Sequence, residues 1–283
     1  PFRWKTGNRT LGEWLAEARG ELLATGRLTI DRAAPVEWAE WSTDLEIEAC
    51  RTHPERRDVV GIKRASNPNG YVRSSCRSVA VRLGGLYQMV EAFDDRDLPR
   101  MVDLWTTESG GLIVSSLHAF VRERMTRVGP ELEDLVNAVR QGRSTKRFRL
   151  HLDHRDRLEA LAQDPSPETA LAVVEGFGKE RGWIVYRPEG IYQLRAALRD
   201  SLGRGLEHLP GAVGAVRTRA RHRGRRVPER TLGTTLLLKG LEFDHVMVLH
   251  GDEFSRNELY VAITRGTRSL RILSEGREIQ TRE

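Results

Sequence analysis

Between residues 11 and 23, apolar side chains recur at Leu11, Trp14, Leu15, Ala18 and Leu22, the three- and four-residue spacing of one helical face. Gly7 and Asn8 mark a break before that stretch. Short runs at Leu28 to Ile30 and Val36 to Trp41 predict strands, with Pro35 at the entry to the second. Asp44 to Arg51 predicts a helix. Asp58 to Arg64 predicts a buried strand running into the turn-rich segment Ala65-Ser66-Asn67-Pro68-Asn69-Gly70. A helix over Val72 to Leu83 stops at Gly84-Gly85, and a strand runs from Leu86 to Glu91.

From Leu98 to about Val213 the pattern turns helical. The predicted helices cover Leu98 to Thr106, Leu112 to Met125, Pro130 to Arg140, Asp153 to Gln163, Pro167 to Gly176 and Ile191 to Leu202. Beyond them, Lys239-Gly240 predicts a turn, with the carboxylate of Glu242 just before an apolar strand over His245 to Leu249. A polar crossing, His250 to Ser255, leads to a helix whose apolar face is Leu259, Ala262 and Ile263 and whose end delivers Thr264 and Arg265. A strand, a crossing and a helix ending in a positioned arginine describe an α/β nucleotide-binding lobe.

Composition adds a bias toward anionic partners. The chain of 283 residues is 39% hydrophobic and 30% charged, with a formal net charge of +6, and arginine far outnumbers lysine. Arginine pairs bidentately with phosphate, so such a balance favours a polyanionic ligand. The most basic run is Arg217-Thr218-Arg219-Ala220-Arg221-His222-Arg223-Gly224-Arg225-Arg226. It reads as a phosphate-backbone contact or a hinge, or else as a solvated charged face or loop; no aromatics interleave to stack bases. No apolar run approaches the roughly 20 residues of a membrane span, and no signal peptide is visible. Cys50 and Cys76 lack metal-ligand spacing and read as buried free thiols of a cytoplasmic protein. Trp38 and Trp41 read as core or interface aromatics, and His118, His151 and His154 as surface or packing residues.

Several chemistries are excluded. The sequence contains no G-x-S-x-G elbow, no H-E-x-x-H pair, no paired-cysteine motif and no dinucleotide fingerprint. A phosphate cradle of the form G-x-x-x-x-G-K-[ST] is also missing: Gly7 to Gly12 has the spacing without the lysine, and Gly178-Lys179 is followed by Glu180. Asp252-Glu253 follows a strand as a magnesium-binding pair does, but the His250-Gly251 interruption favours reading it as the start of the next helix, where carboxylates meet the dipole.

Lys239-Gly240-Leu241-Glu242-Phe243 and Leu259-Tyr260-Val261-Ala262-Ile263-Thr264-Arg265 resemble the fifth and sixth motifs of the UvrD/Rep-type superfamily 1 DNA helicases, in the same order and at similar separation. One position departs: Leu236 stands where the family has a histidine, while Thr234 keeps the family threonine. The resemblance implies a RecA-like, P-loop NTPase-type parallel lobe carrying a mostly helical inserted subdomain. It divides the chain into 1–95 and 216–283 for the lobe and 96–215 for the insertion. Phe2-Arg3 is similar to the end of the fourth motif. Because the chain begins at Pro1, the expectation is a portion of a longer helicase, cut just upstream of that motif.

The resemblance also implies roles. Arg265 is the arginine finger on the transferring phosphoryl group and Arg3 assists at the terminal phosphate of ATP. Glu242 accepts from the ribose, Gly240 permits close backbone approach, and Lys239 and Thr264 complete the ATP side. Thr234, Ser66 and Asn67, together with Arg217, Arg219, Arg221, Arg223, Arg225 and Arg226, are the candidate contacts to single-stranded DNA; for Ser66 and Asn67, a purely turn-forming role stays open. ATP and Mg2+ would be held mainly by an N-terminal RecA-like lobe, so this portion alone is expected to be inactive as an ATPase. The alternative is a non-catalytic nucleic-acid-binding or regulatory module on the same scaffold.

Overall fold

The computed structural model describes residues 9–64, 75–90, 96–126, 130–148, 152–177, 183–223 and 227–282. The chain forms two compact units, 1–90 with 227–283, and 91–226. It enters the first unit through α1 (Arg9–Thr25), β1 (Arg27–Thr29), β2 (Glu37–Glu40), α2 (Leu45–Thr52), β3 (Val59–Lys63), α3 (Cys76–Leu83) and β4 (Gln88–Met89). The second unit holds α4 (Asp97–Trp105), α5 (Gly110–Arg122), β5 (Met125–Thr126), α6 (Pro130–Arg140), α7 (Leu152–Gln163), α8 (Pro167–Phe177), β6 (Ile184–Val185), α9 (Pro188–Asp200) and α10 (Leu209–Arg223). The first unit closes with β7 (Arg230–Thr234), α11 (Thr235–Leu238), β8 (Phe243–Leu249), α12 (Arg256–Ile263), β9 (Gly266–Ser274) and β10 (Glu278–Gln280).

Unit one is α/β. Its sheet has the order β2-β9-β8-β3-β7-β4, and every neighbouring pair is parallel. Parallel strands are covered on both faces, so they read as continuous apolar runs, as Val246-Met247-Val248-Leu249 does. Alternate positions Val60, Ile62, Val246, Val248, Leu270 and Ile272 share a core with Leu11, Leu15 and Leu22 of α1 and Leu259 and Ile263 of α12. The short pair β1–β10 is antiparallel and closes the same core with Leu28 and Ile279.

The opposite face of β3 carries an ion pair. Lys63 at the strand end meets Glu46 of α2 at 2.7 Å, both side chains being fully buried, and Glu46 also accepts from Trp41 Nε1 at 3.2 Å. Burying two charges is costly unless they stay paired and hydrogen-bonded. Tyr87 donates to the Cys50 carbonyl at 3.2 Å on this side of the unit.

Unit two is helical around one apolar cluster that includes Met101, Trp105, Leu117, Leu135, Leu158, Val173, Leu194 and Val213. The β5–β6 pair is antiparallel. Arg124 is fully buried, lies 3.7 Å over the Phe120 ring, and reaches Asp97 at 3.3 Å.

The predicted strand over Asp58 to Arg64 and the helix starting at Leu11 are observed as β3 and α1. The helix expected from Val72 begins at Cys76, because Ser75 is its N-cap in extended backbone; residues 72–74 lie outside the described residues. The strand expected from Leu86 shrinks to β4. α10 was not anticipated. Its buried positions Leu209, Val213 and Val216 are sparse, and Pro210, Gly211 and Gly214 read as breakers. Proline is tolerated in a first turn, and the apolar contacts offset the glycine cost. α10 runs unbroken across 215/216, the expected return point to the lobe; the compact units divide after 226 instead.

Lys63→Met or Glu46→Gln alone should cost about 3–5 kcal/mol by stranding the partner charge, whereas Lys63→Met with Glu46→Leu should recover most of it; urea unfolding of the three variants measures this. Burial pushes the Cys50 and Cys76 thiols up to about 12, so alkylation at pH 8 should wait on unfolding. Fast labelling of the native protein would contradict that.

Candidate nucleotide-facing site

The site is built at the start of β8 and β9. Thr234 ends β7 in extended backbone and leads into the four-residue α11. Gly233 must be glycine because an added Cβ would lie 2.8 to 3.0 Å from the side chain of Leu238. After Leu238 the chain turns through Lys239 and Gly240, the latter at φ +85° with open space on the side a Cβ would take. The turn is closed by Leu241 N–H donating to the Leu238 carbonyl at 3.0 Å. Lys239, Gly240 and Glu242 are exposed.

α12 brings the second set of residues. Its N-terminus is a capping box in which Ser255 accepts from the Glu258 N–H and the Glu258 carboxylate accepts from the Ser255 N–H. Its C-terminus delivers Thr264 and Arg265 to the same edge because Phe243 pairs with Gly266 and Phe243 N–H donates to the Arg265 carbonyl at 2.9 Å. The sheet therefore joins Glu242 and Arg265.

Arg265 is held firmly. Its Nε donates to the Val261 carbonyl at 3.0 Å, Nη1 to the Leu241 carbonyl at 3.1 Å and Nη2 to Thr264 Oγ1 at 3.1 Å. Thr264, itself buried, donates to Val261 at 3.1 Å. Burial pulls the Arg265 guanidinium below the ordinary arginine value, and the negative charge of Glu242 pushes the other way. The side chain thus clamps the end of α12 to the Lys-Gly turn while the outward N–H groups of its two terminal nitrogens keep donor capacity.

The other candidates divide. Thr234 is in register with Lys63 at the carboxyl end of the parallel strands, the edge opposite Glu242 and Arg265. Leu236, at 75% exposed, projects from α11. Arg217, Arg219 and Arg221 lie on α10 in unit two, where Arg219 pairs with Asp200. The basic run is a helix there rather than a loop as far as Arg223. Arg3, Ser66, Asn67, Arg225 and Arg226 lie outside the described residues, as does the side chain of Arg223.

Two features were missed or misplaced. Asp244 accepts from Thr267 at 2.9 Å, pairs with Arg268 at 3.3 Å, and receives its own place from Asp58, whose carboxylate accepts the Asp244 N–H at 3.0 Å. Arg268 is thus a second cation on the edge that carries Arg265, legible only once β9 is recognised as a strand. Asp252 and Glu253 do not begin α12; they form a one-turn 3-10 segment, Gly251–Glu253, ahead of the Ser255 cap. Among the described residues, no group of three or more His, Cys, Asp or Glu side chains could hold a metal ion.

A groove of about 530 Å³ in unit two lies between the α6–α7 connection and α7, lined by Arg143, Ser144, Thr145, Lys146, Arg155 and Glu159 among others. None of the sequence candidates lines it, and Arg155 is already paired with Asp156 at 2.6 Å. No helix among the described residues is long and apolar enough to cross a membrane. No protein-family model matches the chain, and no curated protein matches it.

Gly240→Ala should destabilise unit one by about 1–2 kcal/mol, the cost of a left-handed alanine. An unchanged urea midpoint would contradict the left-handed turn.

Proposed function

We propose that this chain is the second RecA-like lobe, with its helical insertion, of a UvrD/Rep-like superfamily 1 motor that couples ATP hydrolysis to movement on single-stranded DNA in the cytoplasm. The observation that carries the reading is the meeting of the Lys239–Gly240 turn, Glu242 and Arg265 at adjacent strand starts. In open parallel sheets, self-contained ligand crevices form at the carboxyl ends of the strands. A polar cluster at the amino ends is instead placed to face a second body. An N-terminal RecA-like lobe, supplying the phosphate cradle missing from this sequence, is the partner that reading requires.

The residues present fit one side of ATP. Gly240 leaves open space for backbone approach, Glu242 is an exposed acceptor for ribose hydroxyls, and Arg265 offers a fixed positive charge. Arg268 adds positive potential on the same edge. Mg2+ would be held by the other lobe. Thr234, at the opposite edge, and Ser66 and Asn67, which follow β3 in sequence, belong to the DNA side of the proposal. The arginines of α10 would add sequence-independent phosphate contacts with strong salt dependence.

The second reading, a non-catalytic nucleic-acid-binding module, is favoured by two observations. Leu236 replaces the family histidine, and Arg265 spends three hydrogen bonds on its own lobe. The readings separate on ATPase activity of the protein containing both lobes, with and without single-stranded DNA. The motor reading expects DNA-stimulated turnover that falls on the order of 10³-fold in Arg265→Ala, and none from this chain alone. Salt-sensitive DNA binding without turnover in either protein would establish the module.

A further inference from the structure

At the end of β8 the chain does something costly. His250 adopts φ +73°, a left-handed conformation unusual for a residue with a side chain, and its ring is buried to 1% exposure. Three elements surround that ring. Trp41, just after β2, stacks on it with centroids 3.6 Å apart and planes inclined by 8°. Glu253, in the turn after β8, places Oε1 3.5 Å from Nδ1, with its side chain 2% exposed. Glu275, in the β9–β10 connection, places Oε1 3.7 Å from Nε2.

Further charged groups lie close to this turn. Asp252 is half-buried, accepts the Glu275 N–H at 2.7 Å, and is pushed up by burial. Behind Trp41, Glu46 is matched by Lys63. Arg282 reaches this turn through the Asp252 carbonyl at 3.3 Å. Each ring nitrogen thus lies within ion-pair reach of a carboxylate, beyond hydrogen-bond length, so a protonated ring would meet negative charge on both sides.

We infer that His250 is a proton-controlled latch: the charged ring ties the turn after β8 to the β9–β10 connection and to Trp41, and losing the proton loosens the turn that leads into α12. The left-handed backbone at His250 stores the strain that the latch restrains. The turn runs into the Ser255 cap, α12 and then Thr264 and Arg265, so the latch governs how firmly that helix is set. It is independent of the proposed motor function, because it is read from the fold alone.

The pH dependence has a definite sign. The latch requires a folded-state value above the free value of about 6.5, the two carboxylates outweighing the burial that pulls the ring down. Its stabilisation is complete below that value and is lost as pH rises through the folded-state value.

Histidine-selective NMR titration of the full chain, with Glu275→Gln beside the wild type, tests the latch. Glu275 is half-exposed, so its neutral variant should fold. The expected result is a His250 resonance doubly protonated at pH 6, titrating above the free value, and shifted down by about half a unit or more in Glu275→Gln. Amide exchange across residues 251–264, corrected for intrinsic rate, should speed up severalfold between pH 6 and pH 8.5 in the wild type. In His250→Asn, which tolerates left-handed backbone, that dependence should disappear. A ring neutral throughout pH 5–8, a titration unmoved by Glu275→Gln, or pH-independent exchange in the wild type would each overturn the inference.

Discussion

The pairing of β8 with β9 is the constraint on which the candidate site depends. Glu242 and Arg265 are separated in sequence by β8 and α12, yet the Phe243–Gly266 pairing sets them at neighbouring strand starts. The strands can pair this way only because α12 returns the chain from the carboxyl edge to the amino edge of the sheet. That return is fixed by its Ser255–Glu258 cap at one end and by the Arg265 bonds to Val261, Leu241 and Thr264 at the other. A guanidinium used as a clamp is a rigid guanidinium, and rigidity is what an electrostatic stabiliser needs.

The same sheet separates the two halves of the proposed activity. The residues proposed to face nucleotide lie at the amino ends of the strands, and Thr234 lies at the carboxyl ends. α12 spans the distance between these edges. At its capped end, Glu258 also pairs with Arg64 at 3.5 Å, directly after β3.

Much of this was legible in the sequence. The apolar spacing of Leu11, Leu15, Ala18 and Leu22 and the buried run after Asp58 identified α1 and β3, and the Lys-Gly turn before an apolar strand located β8. α10 was hidden because Pro210, Gly211 and Gly214 suppress the helical signal, although Leu209, Val213 and Val216 anchor it to the unit-two core. β9 went unread although Ser269, Leu270, Arg271 and Ile272 alternate polar and apolar as a half-buried strand does. With β9 unread, neither Arg268 nor the side of the sheet that Arg265 occupies could be inferred. The Arg265 bond to Leu241 and the approach of Trp41 and Glu275 to His250 depend on contacts distant in sequence, and no local pattern encodes them.

The central claim is that Arg265 acts on charge that develops during phosphoryl transfer rather than on ground-state nucleotide. Its most direct test is the affinity of the two-lobed protein, wild type and Arg265→Ala, for ADP and for ADP with aluminium fluoride, a mimic of the transferring phosphoryl group. The account predicts that the variant loses on the order of a hundredfold or more in affinity for the mimic while ADP binding changes little. Equal affinities of the two proteins for the mimic would contradict it and leave Arg265 as a clamp of the fold.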